Sequence, residues 1–413
     1  MPVWKKIVVL LIQENMRTGT LTFASLFSGC GGFDLGFVAK GFRPCGAYDH
    51  DNDAVENFAA NVGGPIRRVD LNNGVPDEHS LMGLDTLIAG PPCQGFSTAG
   101  KRLLHDERNH LVPLTARLAL RINPKVLVLE NVSGVLAGDH ARYWRELDGT
   151  MRPAGWRTHT IRCQATELGM AQLRSRVLFF AWRTGRDMEF VLPKLPPSNL
   201  RTVLARVSSQ SNHDPQQLRT GSIEWRIARR IKAGQKLCNV RGGSKSVAAW
   251  EIPEVFGHVS ENERTVLELL RRLRRQDRQR DRGDADPVSL VRLRAALGGR
   301  FHRLVNSLLT KGYLKRAGDG VDLVGTFNGK FRRLSWDKPS CAVDTRFGSP
   351  RYFLHPSKNR GFTVREAARI QGFDDNYVFQ CNKQAQYRLI GNAVPPPLAA
   401  VAAEFVKGLV GRT

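Results

Sequence analysis

Residues Gly90–Ser97 read GPPCQGFS. Cys93 follows two prolines, which stiffen the backbone and remove two amide donors. Such a loop presents a side chain to a reactant. A thiol held there becomes a nucleophile when a positive neighbour or a helix dipole lowers its pKa. The other six cysteines (Cys30, Cys45, Cys163, Cys238, Cys341 and Cys381) are read as small packing residues. Glu130 ends the apolar run VLVLENV. A carboxyl group is costly to bury there, and burial would let it hold a proton near neutral pH; a structural ion pair is the rival reading. Arg174 and Arg176 open QLRSRVLFF and, two residues apart, point to one side of a strand. They are suited to an anion or the edge of a base.

A fourth group is the glycine turn FSGCGG, where Gly29, Gly31 and Gly32 let the backbone approach a ligand and aim amides at it. Asp49 ends the next apolar segment, where a carboxylate can take both hydroxyls of a ribose. Asp70 follows PIRRV. Each aspartate reads equally well as a helix cap or turn residue. The turn is not GxGxxG, so a dinucleotide is not its natural ligand.

The elements that must position these groups alternate. TFASLF, CGAYD, LDTLIAG, KVLVLENV and SRVLFFAWR read as strands, with a further one ending before Asp70. FDLGFVAKG, NDAVENFAANVG and NHLVPLTARLALRI read as helices between them. This pattern predicts a parallel α/β sheet with its ligands at the C-terminal ends of the strands. After LPKLPPSN the composition shifts. Residues 191–260 show no strong period. ENERTVLELL, SLVRLRAAL and FHRLVNSLLTKG then read as helices and YLKRAGDGVDLV as a hairpin, a winged-helix-like module within residues 261–324. FTVREAARIQGF and IGNAVPPPLAAVAAEFVKGLV close the chain with helices.

The chain has 413 residues, 62 Lys plus Arg and 38 Asp plus Glu, a net charge of +24. That excess lies within patterned sequence and attracts polyanions, nucleic acid first. No CxxC pair occurs, so neither a zinc finger nor a disulfide framework is supported, and a reducing compartment fits. KKIVVLLI near the start has only six apolar residues in its run, too few for a membrane span. Residues 1–20 read as an extension, a strand or a segment upstream of a start at Met16.

The motifs LFSGCGG, GPPCQGFS, ENV, QLRSR, FTVREAARIQGF and IGNAVPPPLA stand in one order from about Leu21 to the end of the chain. In this they closely resemble the DNA (cytosine-5) methyltransferase family, restriction–modification type. The resemblance leaves Arg183 to about Phe327 uncovered. It implies a Rossmann-like S-adenosylmethionine-dependent sheet at 21–190, a target-recognition domain inserted at 191–379, and a C-terminal segment, 380–413, that returns to the catalytic domain.

The resemblance also implies roles. Cys93 would add to ring carbon 6 of a flipped-out cytosine. Glu130 would meet ring nitrogen 3 and the amine, Arg176 the carbonyl oxygen, and Arg174 would support the site. Phe27, Ser28, Gly29, Gly31, Gly32, Asp49, His50, Asp70, Leu71, Pro91 and Leu111 would line the S-adenosylmethionine pocket, closed by Asn392, Ala393 and Val394. Asp49 stands where the family commonly has glutamate, and His50 where it often has an aromatic. Double-stranded DNA is the implied partner, with a cognate endonuclease acting separately. A monomer in the bacterial cytoplasm, with no metal and no membrane, is expected. The alternatives are a transfer-RNA methyltransferase of the same fold and a catalytically silent DNA-binding protein. The 261–324 module reads equally as a DNA-backbone contact or a packing insert.

Overall fold

The computed structural model describes residues 20–93, 95–96, 106–276, 286–325 and 327–411. Gln94 and Ser97 of the cysteine loop, nearly all of the 1–20 extension and residues 277–285 of the basic module lie outside the described residues. The chain divides into two units. One is Met1–His213 with Asp337–Thr345 and Val364–Thr413; the other is Asp214–Trp336 with Arg346–Thr363. Residues 191–213, 337–345 and 364–379, placed with the target-recognition segment on sequence alone, thus cluster with the first unit.

The first unit is built on a seven-stranded sheet. Its strands are β1 (Thr22–Leu26), β2 (Arg43–Asp49), β3 (Ile66–Arg68), β4 (Thr86–Ala89), β5 (Val126–Val132), β6 (Arg157–Gln164) and β8 (Ser175–Trp182), with the two-residue β7 (Gln172–Leu173) outside it. The spatial order is β3-β2-β1-β4-β5-β8-β6. Strands β1 to β5 pair in parallel. β4 and most of β5 are buried throughout, which is why they read as continuous apolar runs. β8 departs from the expected parallel arrangement and runs antiparallel to both β5 and β6. Only residues 165–174 separate it from β6, too few for a parallel crossover.

Helices cover both faces. On one, α3 (Leu111–Ile122) and α4 (Ala141–Met151) pack Val112, Ala116, Ala119 and Leu147 against Leu127 and Leu129. On the other, α1 (Gly32–Ala39) packs Phe33 and Phe37 among Val126, Val128 and C-terminal residues. α2 (Asn52–Asn61) links β2 to β3. Sequence reading missed β6 and α4. β6 is an edge strand, mostly solvent-facing, so its polar sequence RTHTIRCQ hides the pattern. In α4 only Trp144, Leu147 and Met151 are buried.

The second unit has its own core. It contains α5 (Ile223–Arg230), the paired β9 (Lys236–Leu237) and β10 (Ser246–Val247), α6 (Glu261–Leu273), β11 (Val288–Ser289), α7 (Leu290–Leu297), α8 (Phe301–Thr310), β12 (Leu314–Ala317) and β13 (Gly320–Leu323). β11, β13 and β12 form a three-stranded antiparallel sheet. Val266, Leu270, Leu293, Phe301, Val305, Leu308 and Val321 lie in one cluster.

The chain then returns to the first unit as α9 (Val364–Gln371), α10 (Lys383–Asn392) and α11 (Pro396–Val410). Lys383–Val410 is long and apolar enough to cross a membrane by composition, but it is two helices, and 61% of its most apolar window is buried in the protein. α11 buries Leu398, Ala402 and Val406 in the core that α1 also lines.

α1 and α11 touch backbone to backbone at Gly36. A Cβ there would lie 2.3 Å from Ala399 Cβ and 2.5 Å from the Ala400 nitrogen. Helix propensity favours Gly36→Ala by about 1 kcal/mol, but the two helices would have to part, at about 1–3 kcal/mol or more. Sterics should win. We expect Gly36→Ala to lower the urea midpoint, a net loss near 1–2 kcal/mol; an unchanged or raised midpoint would show that α11 can shift freely.

Candidate active site

The C-terminal ends of β1, β2, β4 and β5 open on one side of the sheet. The strand order reverses at β1, between β2 and β4, which leaves a crevice there. A cavity of about 260 Å³ fills it, lined by residues 25–30, Asp49, His50, Gly90–Cys93, Glu130, Arg174, Arg176 and residues 391–394, among others.

The glycine turn leaves β1 through Phe27, whose φ of 55° is left-handed. Ser28 ties this turn to β2: its hydroxyl accepts from Tyr48 N at 2.9 Å and its amide donates to Tyr48 O at 3.1 Å. Asp49 completes the latch. Its Oδ2 accepts from Gly29 N at 2.8 Å and its Oδ1 from Asp51 N at 2.9 Å. Burial raises the Asp49 carboxyl despite those donors and the nearby His50. The His50 ring lies 3.5 Å from Asp49, with most of its surface in solvent. Gly31 caps α1 in the left-handed region, and Gly32 comes so close to Val394 that a Cβ would lie 2.3 Å from its carbonyl oxygen. Of the residues assigned to the pocket from sequence, Gly31, Gly32, Asp70, Leu71 and Leu111 do not line the cavity. Asp70 is exposed and caps a short turn by accepting from Asn72 N at 3.0 Å. Leu71 and Leu111 are core residues.

The cysteine loop is held from two sides. Gly90 N donates to Leu26 O at 3.2 Å. The buried Asn131 side chain donates to Pro91 O at 3.2 Å, so the residue after Glu130 fixes the loop that carries Cys93. Glu130 and Val132 share one side of β5, and Val132 stands opposite Arg176 on β8. That register brings Arg176 Nε to 2.7 Å from Glu130 Oε1. Burial pushes the Glu130 carboxyl up, while Arg176 and Arg174 pull it down; the net direction is upward. The Cys93 thiol also moves up, because burial and Glu130 outweigh the two guanidiniums. The resting sulfur is therefore a thiol, where sequence reasoning looked for a lowered pKa.

Arg174 is a clamp. It donates to Val343 O at 2.9 Å, Gly391 O at 3.2 Å and Ala393 O at 3.1 Å, and it is buried. Gln371 adds a bond to Ala393 O at 2.7 Å. These contacts hold the 391–394 wall of the cavity.

Among the further lining residues that escaped sequence reasoning, three carry charge the site must accommodate. Arg388 pairs with Asp51 and, at 2.6 Å, with Asp53, joining α10 to the start of α2. Arg108 pairs with Asp106 at 2.7 Å and adds positive charge near Cys93. Asp34 is fully buried in the first turn of α1, and neither carboxyl oxygen accepts a hydrogen bond at normal geometry. Its signal was legible: one acid inside the apolar stretch GFDLGFVA. The two arginines carried none, since their partners lie far off or belong to ordinary surface pairs.

The family model for C-5 cytosine-specific DNA methylases matches residues 21–407. The chain belongs to that family. Relatives include the Type II methyltransferases M1.HphI of Haemophilus parahaemolyticus (29% identical, over 94% of this chain and 87% of the relative) and M.XorII of Xanthomonas oryzae pv. oryzae (30%, over 93% and 84%). Among solved structures, Entamoeba histolytica methyltransferase EhMeth shares the fold at 14% identity, with a TM-score of 0.54 over 94% of this chain and 98% of that one. The chain is thus a DNA cytosine-5 methyltransferase, and the methyl donor of this family is S-adenosylmethionine.

Burial raises the Asp34 carboxyl from 3.8 to about 7, and the Ser25 hydroxyl only partly offsets this. Unfolded, the same group ionises near 4. Between about pH 4 and pH 7 the folded state keeps a proton that the unfolded state has lost, so stability falls as pH rises through that window. Asp34→Asn cannot ionise. Its stability relative to the parent should therefore improve from pH 5 to pH 8, by about 2–3 kcal/mol. Urea midpoints across that range measure it; a pH-independent difference would mean that Asp34 ionises freely.

Proposed function

We propose that this DNA methyltransferase acts through a covalent Cys93 adduct on a flipped-out cytosine, with S-adenosylmethionine held by the glycine turn. The observation that carries the reading is that Cys93, the Glu130–Arg176 pair, the glycine turn and Asp49 line one cavity. The donor fits on charge. The arginines that line the cavity are spent on acids or backbone carbonyls, which leaves the buried carboxyls Asp49 and Asp34 near the glycine turn to complement a ligand bearing ammonium and sulfonium groups, a bound cation drawing off the proton that burial holds on Asp34. When bound, S-adenosylmethionine supplies an electrophilic methyl group.

The protein's own groups do the rest. Cys93 Sγ gives its proton to solvent water as it bonds to ring carbon 6, and the electron pair of the carbon 5–carbon 6 double bond is displaced into the ring. Negative charge then moves into the ring. Arg176 donates to the carbonyl oxygen, and Glu130, held up by burial, brings a proton to ring nitrogen 3. These ring positions are adjacent, as are the two side chains. An entering pyrimidine edge replaces their mutual contact with one contact to each. Carbon 5, now enamine-like, is the position that would receive the methyl group, the donor departing as its neutral thioether; carbon 5 then gives its proton to water, the carbon 5–carbon 6 double bond re-forms as the sulfur–carbon bond breaks, nitrogen 3 returns its proton to Glu130, and the freed Cys93 thiolate regains a proton from water. Arg174 acts through the 391–394 wall and is a positioning residue.

A stacked base cannot reach this cavity, so the cytosine must leave the duplex. We assign the second unit, 214–336 and 346–363, to recognition of the DNA. The Type II designation of the relatives supports a modification enzyme paired with a separately acting endonuclease.

Cys93→Ser should lose methyl transfer to DNA below detection while S-adenosylmethionine still binds by calorimetry. Duplex DNA containing 5-fluorocytosine, incubated with the parent protein and donor, should yield an adduct through residue 93 in peptide mapping. Label transfer to RNA but not DNA would move the substrate to transfer RNA. Substantial turnover by Cys93→Ser would end the covalent route.

A further inference from the structure

We infer that α8 is a base-reading helix for duplex DNA and that the β12–β13 hairpin is a wing that contacts the phosphate backbone beside it. This rests on the DNA-methylation reading above and assigns the reading of sequence to named side chains.

The order α6, β11, α7, α8, β12, β13 places two helices across a tight turn, followed by a hairpin. The turn between α7 and α8 is the three-residue Gly298–Arg300, and Gly298 takes a φ of +66° that few other residues tolerate. Two helices joined in this way form a helix-turn-helix, whose second helix enters the major groove in DNA-binding proteins. The inner face of α8 is committed: Phe301, Val305 and Leu308 are buried. Its position on α6 is locked by polar contacts. Glu263, buried in the first turn of α6, accepts from Ser307 Oγ at 2.6 Å and from Lys311 Nζ at 2.7 and 2.8 Å. Arg274 at the end of α6 pairs with Asp322 of β13 at 2.5 Å, which holds the hairpin. The helix is thus presented as a rigid rod.

The outer face is free and has the right chemistry. His302, Arg303, Asn306 and Thr310 are exposed and form one stripe at spacings of three and four. None is acidic. Arg303 has no ion-pair partner among the described residues. Arginine pairs with guanine and asparagine with adenine through paired hydrogen bonds in the major groove, and here they stand one turn apart. On the hairpin, Lys315 and Arg316 are exposed just before the Gly318–Asp319 tip, and Arg294 is exposed on α7. Across residues 261–316 there are 15 Lys plus Arg against 7 Asp plus Glu, a net of +8. A core-packing insert would need none of this on its solvent face. A polyanion with readable base edges matches both the charge and the residue types.

The test uses the full-length protein. Bisulfite sequencing of DNA from cells expressing it first maps the site it methylates. Binding is then measured by fluorescence anisotropy on a duplex carrying that site and on a scrambled duplex, across a salt series. The double substitution Arg303→Ala with Asn306→Ala should weaken binding to the mapped site by about 10- to 100-fold or more, leave the scrambled duplex within a few-fold, and blur the methylated sequence. Lys315→Ala with Arg316→Ala should weaken both duplexes alike and reduce the salt slope by about two. Both sets of residues are exposed, so thermal melting and S-adenosylmethionine binding should hold; they report that the variants are folded. Equal losses on both duplexes for the α8 variant would overturn base reading. Parent-like binding by both variants would overturn the interface altogether. If the parent methylates no cytosine in DNA, it is the functional reading that fails, and the two failures are thereby distinct.

Discussion

The site depends on keeping ionisable groups away from water where a parallel sheet opens. Glu130 and Arg176 face each other at 2.7 Å with little of either exposed. Neither could be buried alone without a penalty of several kcal/mol. Together they keep each other in place, and burial leaves the acid easier to protonate than it would be in water. Cys93 shares that environment, so its sulfur rests as a thiol between two guanidiniums and a carboxyl group. In the proposed mechanism an entering ring exchanges the Glu130–Arg176 contact for one contact to each side chain.

Around this pair the chain supplies supports more than contacts. Asn131 fixes the cysteine loop, Ser28 and Asp49 fix the glycine turn, and Arg174 fixes the returning 391–394 wall. Each is a buried polar side chain bonded to backbone. Removing one would leave orphaned carbonyls or amides and let a wall of the cavity drift. Asp34 is held less firmly: among the described residues neither carboxyl oxygen has a hydrogen bond of normal geometry, and burial pushes the carboxyl up to about 7.

The second unit works by a different economy. Its core is apolar and self-contained, and its buried charges are either paired across elements, as in Glu263–Lys311 and Arg274–Asp322, or spent on backbone carbonyls, as in Arg333. Other cations, Arg303, Lys315 and Arg316 among them, face solvent. On the proposed reading their effect would be long-range attraction and groove contact, which salt screens, unlike the dry electrostatics around Glu130.

Much of this was legible in the linear order. Apolar runs ending in Asp49, Gly90 and Glu130 announced strands that end at a site, because fully buried strands must be apolar until they reach the sheet edge. The Pro-Pro-Cys loop, the glycine turn and the paired arginines carried local signatures of chemistry. The helices and hairpin of residues 261–324 were visible from period and turn residues. What escaped was long-range or masked by exposure. The edge strand β6 is polar because solvent covers it, and nothing local reveals that β8 runs antiparallel. Sequence assigned Arg174 a supporting role but not its targets, since Val343 and residues 391–393 approach it only after the chain has gone around the second unit. Arg388 likewise meets Asp51 and Asp53 only through folding. Side-chain type and spacing set which chemistry is possible. Which of those groups are dry, paired or spent on the backbone is set by burial, and burial is a property of the packed whole.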